Sequence, residues 1–303
     1  GARGHMRCYL PHNDYIATAR LTPDLPRLVI GVIAIELIYG VALDFIGSIL
    51  AAFPPQIEQA YFYGTTSAGL LAQLFSFAFL AGAVMLVARY LHFRPPLSLI
   101  GPPKRALQSF ALALIAALGC FLALEILPPY WSSAGAVSTG GLRWLVLLPV
   151  SVAALTVQVA AEELLYRGYV QQQLAARFAS PWIWLTVPNL LFAAAPWDNG
   201  SDPVDAIQYV IWAFCFGLVA SDLTARTGSL GAATGFHLAN NIYAFLFFSE
   251  RGAPDSGLAL FLFPPGDLLP PSTGSGSIIT VNTVLELATL LVMWLSIRWA
   301  LRR

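Results

Sequence analysis

Charge is scarce in this sequence. Acidic and basic residues together make up 11% of the chain and cancel to no net charge, against about 25% in an ordinary soluble domain. That deficit excludes a conventional solvated surface. Together with 57% hydrophobic residues and a mean hydropathy of +0.69, it predicts a polytopic membrane protein. Nucleic acid is excluded as a partner, since there is neither a basic patch nor a stacking motif. Cysteine is nearly absent as well. Cys8, Cys120 and Cys215 show no paired or metal-type spacing, which excludes a disulfide framework and leaves them as packing residues. There is no internal repeat and no separate soluble domain. The first apolar run is too long for a cleavable leader and lacks a small-residue cleavage site. Gly1-Ala2-Arg3-Gly4-His5 ahead of Met6 reads as an appended remnant.

What the chain has is apolar length. A helix needs about 20 apolar residues to cross the hydrocarbon core, and eight segments approach this: Leu28–Phe53, Ser67–Tyr90, Ala106–Leu127, Trp144–Leu165, Pro181–Ala195, Ala206–Leu223, Ser229–Phe248 and Ile278–Leu301. The fifth is short. Proline and glycine clusters such as Pro54-Pro55, Pro95-Pro96, Gly101-Pro102-Pro103, Pro128-Pro129 and Pro264 to Gly276 separate them. The expected fold is all-α, a membrane helical bundle of about eight spans. Residues 1–27 form a cytoplasmic N-terminal segment and residues 28–303 a single bundle. Basic residues fall in alternate connections: Arg20 and Arg27, then Arg89, Arg94, Lys104 and Arg105, then Arg167 and Arg177, then Arg226, then Arg298, Arg302 and Arg303. The other connections hold only Arg143 and Arg251. This bias predicts both termini in the cytoplasm, and the absence of eukaryotic sorting features points to a bacterial inner membrane.

Glu162 and Glu163 end the apolar run of the fourth span. Ionisable groups there cost on the order of 2.5–3.5 kcal/mol each on insertion scales, so a chain that carries them has a use for them. Glu163 and Arg167 are spaced i,i+4 with the acid first, the favourable order for an ion pair. That pairing is a sufficient structural reason for both. Glu162 points about 100° away, has no partner in its sequence neighbourhood, and is the better candidate for a general base. His237 is the only histidine inside an expected span, roughly 12 Å deep at 1.5 Å per residue. Asn241, four residues on, shares its face, and the two side chains suit hydrogen bonding to a developing oxyanion. The bland reading of His237 is a satisfied core histidine. Glu36, Asp44, Glu125 and Glu286 also lie in apolar runs without an assigned role, and Asp222 and Arg226 are spaced as a local ion pair. Gly168 to Phe178, with Gln171, Gln172, Gln173 and Arg177, reads as a short interfacial helix.

Glu162-Glu163-x-x-x-Arg167, then Thr227-Gly228-Ser229-Leu230-Gly231, then His237-x-x-x-Asn241 resembles the CAAX-protease and bacteriocin-processing (CPBP, or Abi) family of intramembrane endopeptidases. The resemblance covers about residues 142–248. It implies that Glu162 activates the water attacking a peptide carbonyl, that His237 and Asn241 bind the oxyanion, and that Arg167 holds the motif in place. The family's middle motif is Phe-x-x-x-His. Here Phe192-Ala193-Ala194-Ala195-Pro196 puts proline in the place of the histidine, and Asp198 is the candidate substitute. In the family that histidine works with the first glutamate on the water or ligates a metal. A zinc ion here would have to rely on Glu162, Glu163 and His237, with Asp198 as a further candidate, short of the usual two-histidine base; the cofactor expected is zinc or none.

Two main readings follow. The first is an intramembrane endopeptidase acting on a membrane-associated peptide or protein in the lipid bilayer. The second is a catalytically silent relative that binds such a partner in the same cavity, because Pro196 replaces the histidine. A small proton-coupled transporter is a third, weakened by the lack of paired broken helices in matching halves of the chain.

Overall fold

The computed structural model describes residues 7–127, 134–197, 202–267 and 276–303. Gly1–His5, the Pro128-Pro129 break and Asp198 lie outside them. The architecture is a helical membrane bundle. Among the described residues six helices are long and apolar enough to cross a membrane by length and composition. All eight segments expected from the sequence are helical, as α2 Leu25–Leu50, α4 Ser67–Phe75 with α5 Phe77–Tyr90, α6 Pro103–Ile126, α7 Gly141–Glu163, α9 Pro181–Ala194, α10 Pro203–Thr227, α11 Gly231–Leu246 and α12 Val281–Leu301. The two outside the six are α9 and α11, which run 14 and 16 residues. Two helices have no counterpart in the sequence reading: α1 Leu10–Tyr15 and α3 Pro55–Tyr63. Both are too short or too mixed in character to raise a span signal.

Helix starts follow local chemistry. Prolines open α2, α3, α6, α9 and α10, where a missing N–H costs nothing. The side chains of Asp24, Thr66, Asp202 and Thr280 accept from backbone N–H groups at the starts of α2, α4, α10 and α12.

α11 is the centre of the bundle. It packs on α6, α7 and α10, and every residue from Gly231 to Ala239 is buried. The close approach to α6 depends on small residues. A Cβ on Gly231 would sit 1.9 Å from the carbonyl oxygen of Ala106, and one on Gly235 would sit 2.4 Å from that of Phe110. In lipid, where apolar side chains gain little from leaving the tails, such backbone proximity is the main source of helix association. On the other faces, α9 lies on α10, α12 on α6 and α10, α5 on α2 and α7, and α4 on α7.

A small sheet caps one end. β1 Val137–Ser138, β3 Phe261–Phe263 and β2 Phe248–Glu250 lie in that order, β1 antiparallel and β2 parallel to β3. The register places Val137 opposite Leu262 and Phe248 opposite Phe261. Strands this short leave no alternating pattern in a sequence: β1 lies in the connection before the fourth expected span, β2 begins at the last residue of the seventh, and β3 lies in the connection after it.

The helix of the two glutamates does not stop at Leu165 as expected. It widens into a π-helix over Leu164–Val170 and continues as α8 Gln171–Arg177. The glutamines of α8 are buried rather than interfacial. Three consecutive side chains step about 100° around a helix, so they meet three different neighbours. Gln171 donates to the carbonyl of Ser221, Gln172 to that of Ser98, and Gln173 to that of Thr22. Arg94, fully buried, donates to the side-chain oxygens of Gln172 at 2.6 Å and Gln173 at 2.7 Å.

Candidate active site

Glu163 sits in the last turn of α7 with no exposed surface. Its Oε1 accepts from Arg167 Nη1 at 3.2 Å and from His237 Nδ1 at 2.9 Å. A carboxylate paired with a guanidinium is an acceptor only, so the imidazole donates through Nδ1–H. Arg167 is also fully buried and is fixed from three sides: by Glu163, by Asn189 Oδ1 at 3.1 Å, and by the Phe192 ring 4.4 Å below its guanidinium carbon. Asn189 in turn donates to Leu185 O and to Ser221 Oγ at 2.9 Å. The i,i+4 pairing of Glu163 and Arg167 expected from the sequence is therefore present, and it serves to hold the histidine. Arg167 lies within the π-helix, a distortion that recurs at functional sites because it re-aims side chains.

Glu162 faces the other way, into a cavity of about 560 Å³ that it lines with His237, Asn240, Asn241, Gln158 and Pro196. Its Oε2 lies 3.8 Å from His237 Nε2. The imidazole thus stands between the two glutamates, with Nδ1 committed to Glu163 and Nε2 presented towards Glu162. The rings of Phe216 and Phe192 hold it edge to face, with centroids 5.1 and 6.2 Å away. A gap of 3.8 Å between polar atoms is the kind that one water spans. Asn241 Nδ2 donates to Gln158 Oε1 at 3.0 Å, and Asn240 Nδ2 to Asn241 Oδ1 at 3.2 Å.

Of the residues singled out in the sequence, Glu162, Glu163, Arg167, His237 and Asn241 converge. Pro196 reaches the same cavity, at the place where the middle histidine was expected. Asp222 and Arg226 form the expected ion pair at 2.7 Å, which also takes Trp294 Nε1 at 2.7 Å. Glu125 accepts from the Tyr243 hydroxyl, away from the site. Sequence reasoning missed Gln158, Asn189 and Asn240. Two of them were open to it. Gln158 lies one turn before Glu162 on the same face, and Asn240 lies three residues after His237. Asn189 carried only the weak signal of a polar residue inside an apolar span.

The metal candidates Glu162, Glu163 and His237 meet, but around the edges of one imidazole rather than about a common point. Glu163 Oε1 is shared by Arg167 and His237. That leaves Glu162 and His237 Nε2 as the donors facing the cavity. Among the described residues no group of three His, Cys, Asp or Glu side chains could hold a metal ion, whereas a catalytic zinc takes three protein ligands. The described donor set does not fit such a centre.

Residues 143–243 match the family described as Type II CAAX prenyl endopeptidase Rce1-like. This segment is similar to that family. It contains Glu162, Glu163, Arg167, His237 and Asn241, and the match bears out the resemblance carried by those motifs. A protein of Bacillus subtilis (strain 168), the uncharacterised protein YyaK, is 28% identical over 126 residues, covering 41% of this chain and 42% of that protein. The match thus spans less than half the length of that relative. No solved structure matches.

Proposed function

We propose that this protein is an intramembrane endopeptidase that hydrolyses a peptide bond in a membrane-associated substrate. The observation that carries the proposal is the placement of Glu162 Oε2 3.8 Å from His237 Nε2 on a shared cavity, with Glu163 and Arg167 fixing the imidazole from behind. Glu162 takes a proton from a water held in that gap. The resulting hydroxide attacks the peptide carbonyl carbon, and the carbonyl oxygen becomes an oxyanion. Glu162, Glu163 and Arg167 leave one negative charge uncompensated, and in this mechanism a proton on each ring nitrogen of His237 offsets it. His237 then donates Nε2–H to the oxyanion, joined by Asn241 through the second Nδ2–H, the first being spent on Gln158. When the carbon–nitrogen bond breaks, Glu162 returns its proton to the leaving amine. Every step uses side chains of this chain.

The membrane is inferred to be a bacterial inner membrane from the absence of eukaryotic sorting features, and both termini are inferred to be cytoplasmic from the distribution of basic residues. The bundle is proposed to act as a single unit over residues 28–303. Pro196 favours one competing reading, a silent relative that binds a membrane peptide without cutting it. A cleavage assay on detergent-purified protein with a membrane-peptide library separates the two, run beside Glu162→Gln and Pro196→His. Cleavage that disappears in Glu162→Gln supports the protease. Silence in the wild type with activity appearing in Pro196→His would transfer the case to the silent relative.

A further inference from the structure

Glu36 belongs to none of the ion pairs described above. It lies near the middle of α2, where an ionisable side chain in a span is a functional-site signal. Among the described residues it makes no hydrogen bond and no salt bridge. It is exposed, and its surroundings are those of the cavity that holds Glu162. Tyr39, one turn on, lines the same cavity, as do Phe77 and Tyr166. The charges of Glu36 and of Glu162 both act on the hydroxyls of Tyr39 and Tyr166, so the two carboxylates address one shared space. No lysine or arginine among the described residues lines it.

A carboxylate in this position lacks a counter-charge from the protein. Ring faces nearby carry negative potential and attract cations. An anionic side chain entering beside Glu36, away from His237 and Asn241, meets an unpaired carboxylate and is repelled. The chemistry that completes such a wall is a positive charge carried by the ligand, at hydrogen-bonding reach of Glu36 and against an aromatic face.

We propose that Glu36, with Tyr39 and Tyr166, forms a subsite for the ammonium or guanidinium of a basic side chain on the bound peptide, beside the bond that Glu162 and His237 address. The proposal rests on the reading of this cavity as a peptide site. It makes Glu36 a specificity-determining residue. It also assigns the substrate to the class of membrane-associated peptides with a lysine or arginine close to the cleaved bond.

The test is a binding measurement on the full chain in detergent, with Glu162→Gln to prevent turnover. The probes are fluorescein-labelled apolar peptides, identical except for one central position occupied by lysine, norleucine or glutamate. The lysine peptide is expected to bind about tenfold more tightly than the norleucine peptide, the scale of one partly desolvated charge contact. The preference should vanish in Glu36→Gln, persist in part in Glu36→Asp, and turn towards the glutamate peptide in Glu36→Lys, an inversion that misfolding does not produce. Equal affinities for the lysine and norleucine peptides, or a lysine preference that survives Glu36→Gln, would overturn the subsite. Cleavage of the same peptides with Glu162 intact is scored separately. Peptides that bind with the lysine preference but stay uncut defeat the protease reading and leave the subsite standing. Peptides cut without that preference do the reverse.

Discussion

At the scale of single residues, the two adjacent glutamates have different work to do. Glu162 faces the cavity and Glu163 is sealed behind His237. Glu162→Gln is expected to lower kcat by about 10²–10⁴, the usual contribution of a positioned general base, with an unchanged melting temperature. Single-turnover cleavage and thermal unfolding together check this. Glu163→Gln should act on the fold instead. It leaves Arg167 buried with no carboxylate, and removing one partner of a buried pair costs about 3–5 kcal/mol; a loss of thermal stability at least as large as the loss of activity is the expected signature. The donor set carries a further expectation. Cleavage should survive a strong chelator, because Glu162 and His237 Nε2 do not make a three-ligand centre. Loss on chelation with recovery on added zinc would place a metal between them.

At the scale of elements, the site depends on how closely α10 approaches α9 and the π-helix. A Cβ on Gly217 would lie 2.2 Å from Asn189 Oδ1 and 2.9 Å from Arg167 Nη2. Gly217→Ala is therefore expected to push Asn189 off Arg167 and to cost about 1–3 kcal/mol, as overpacking usually does. The measurement is thermal unfolding beside Gly82→Ala, where a Cβ meets nothing within 4 Å and little change is expected. Elements are also where the sequence reads best. The eight apolar segments are all helical, since composition and proline placement act locally. The π-helix after Glu163 was not legible, because one extra residue per turn leaves no mark on an apolar pattern. The burial of Gln171, Gln172 and Gln173 was not legible either. Glutamine pattern is the same whether its partner is water or a carbonyl of a distant loop.

At the scale of the whole molecule, the segment before α2 and the connection between α5 and α6 close over α8. His92 lies there, outside the spans, with Nδ1 on Thr22 Oγ1 and Nε2 on the Tyr169 hydroxyl, both at 2.7 Å. Burial, then the charges of Arg94 and Arg27, lower its pKa from 6.5 to about 4, and Asp24 opposes them weakly. His12 is lowered from 6.5 to about 3 by burial and by Arg20. Folding therefore favours the neutral rings, and the unfolded chain binds more protons in this range. The stabilisation is complete above pH 6.5 and is lost as pH falls towards about 4 for His92 and about 3 for His12. Melting temperatures in detergent should drop between pH 7.5 and 5, and the drop should be smaller in His92→Gln. A flat profile would sink the prediction.

The sequence by itself determined the environment and the cast. Scarce charge and long apolar runs place the chain in lipid, and local spacing marks Glu162, Glu163, Arg167, His237 and Asn241, because insertion cost and helix periodicity are properties of neighbouring residues. Tertiary structure decided where each one sits and what it touches. Only the packing of α7 against α11 sets His237 between the two glutamates, only the approach of α9 and α10 supplies Asn189 to Arg167, and only the fold turns Glu36 towards the cavity of Glu162. Those are contacts between residues far apart in the chain, chosen by shape and partner geometry, which no local pattern encodes.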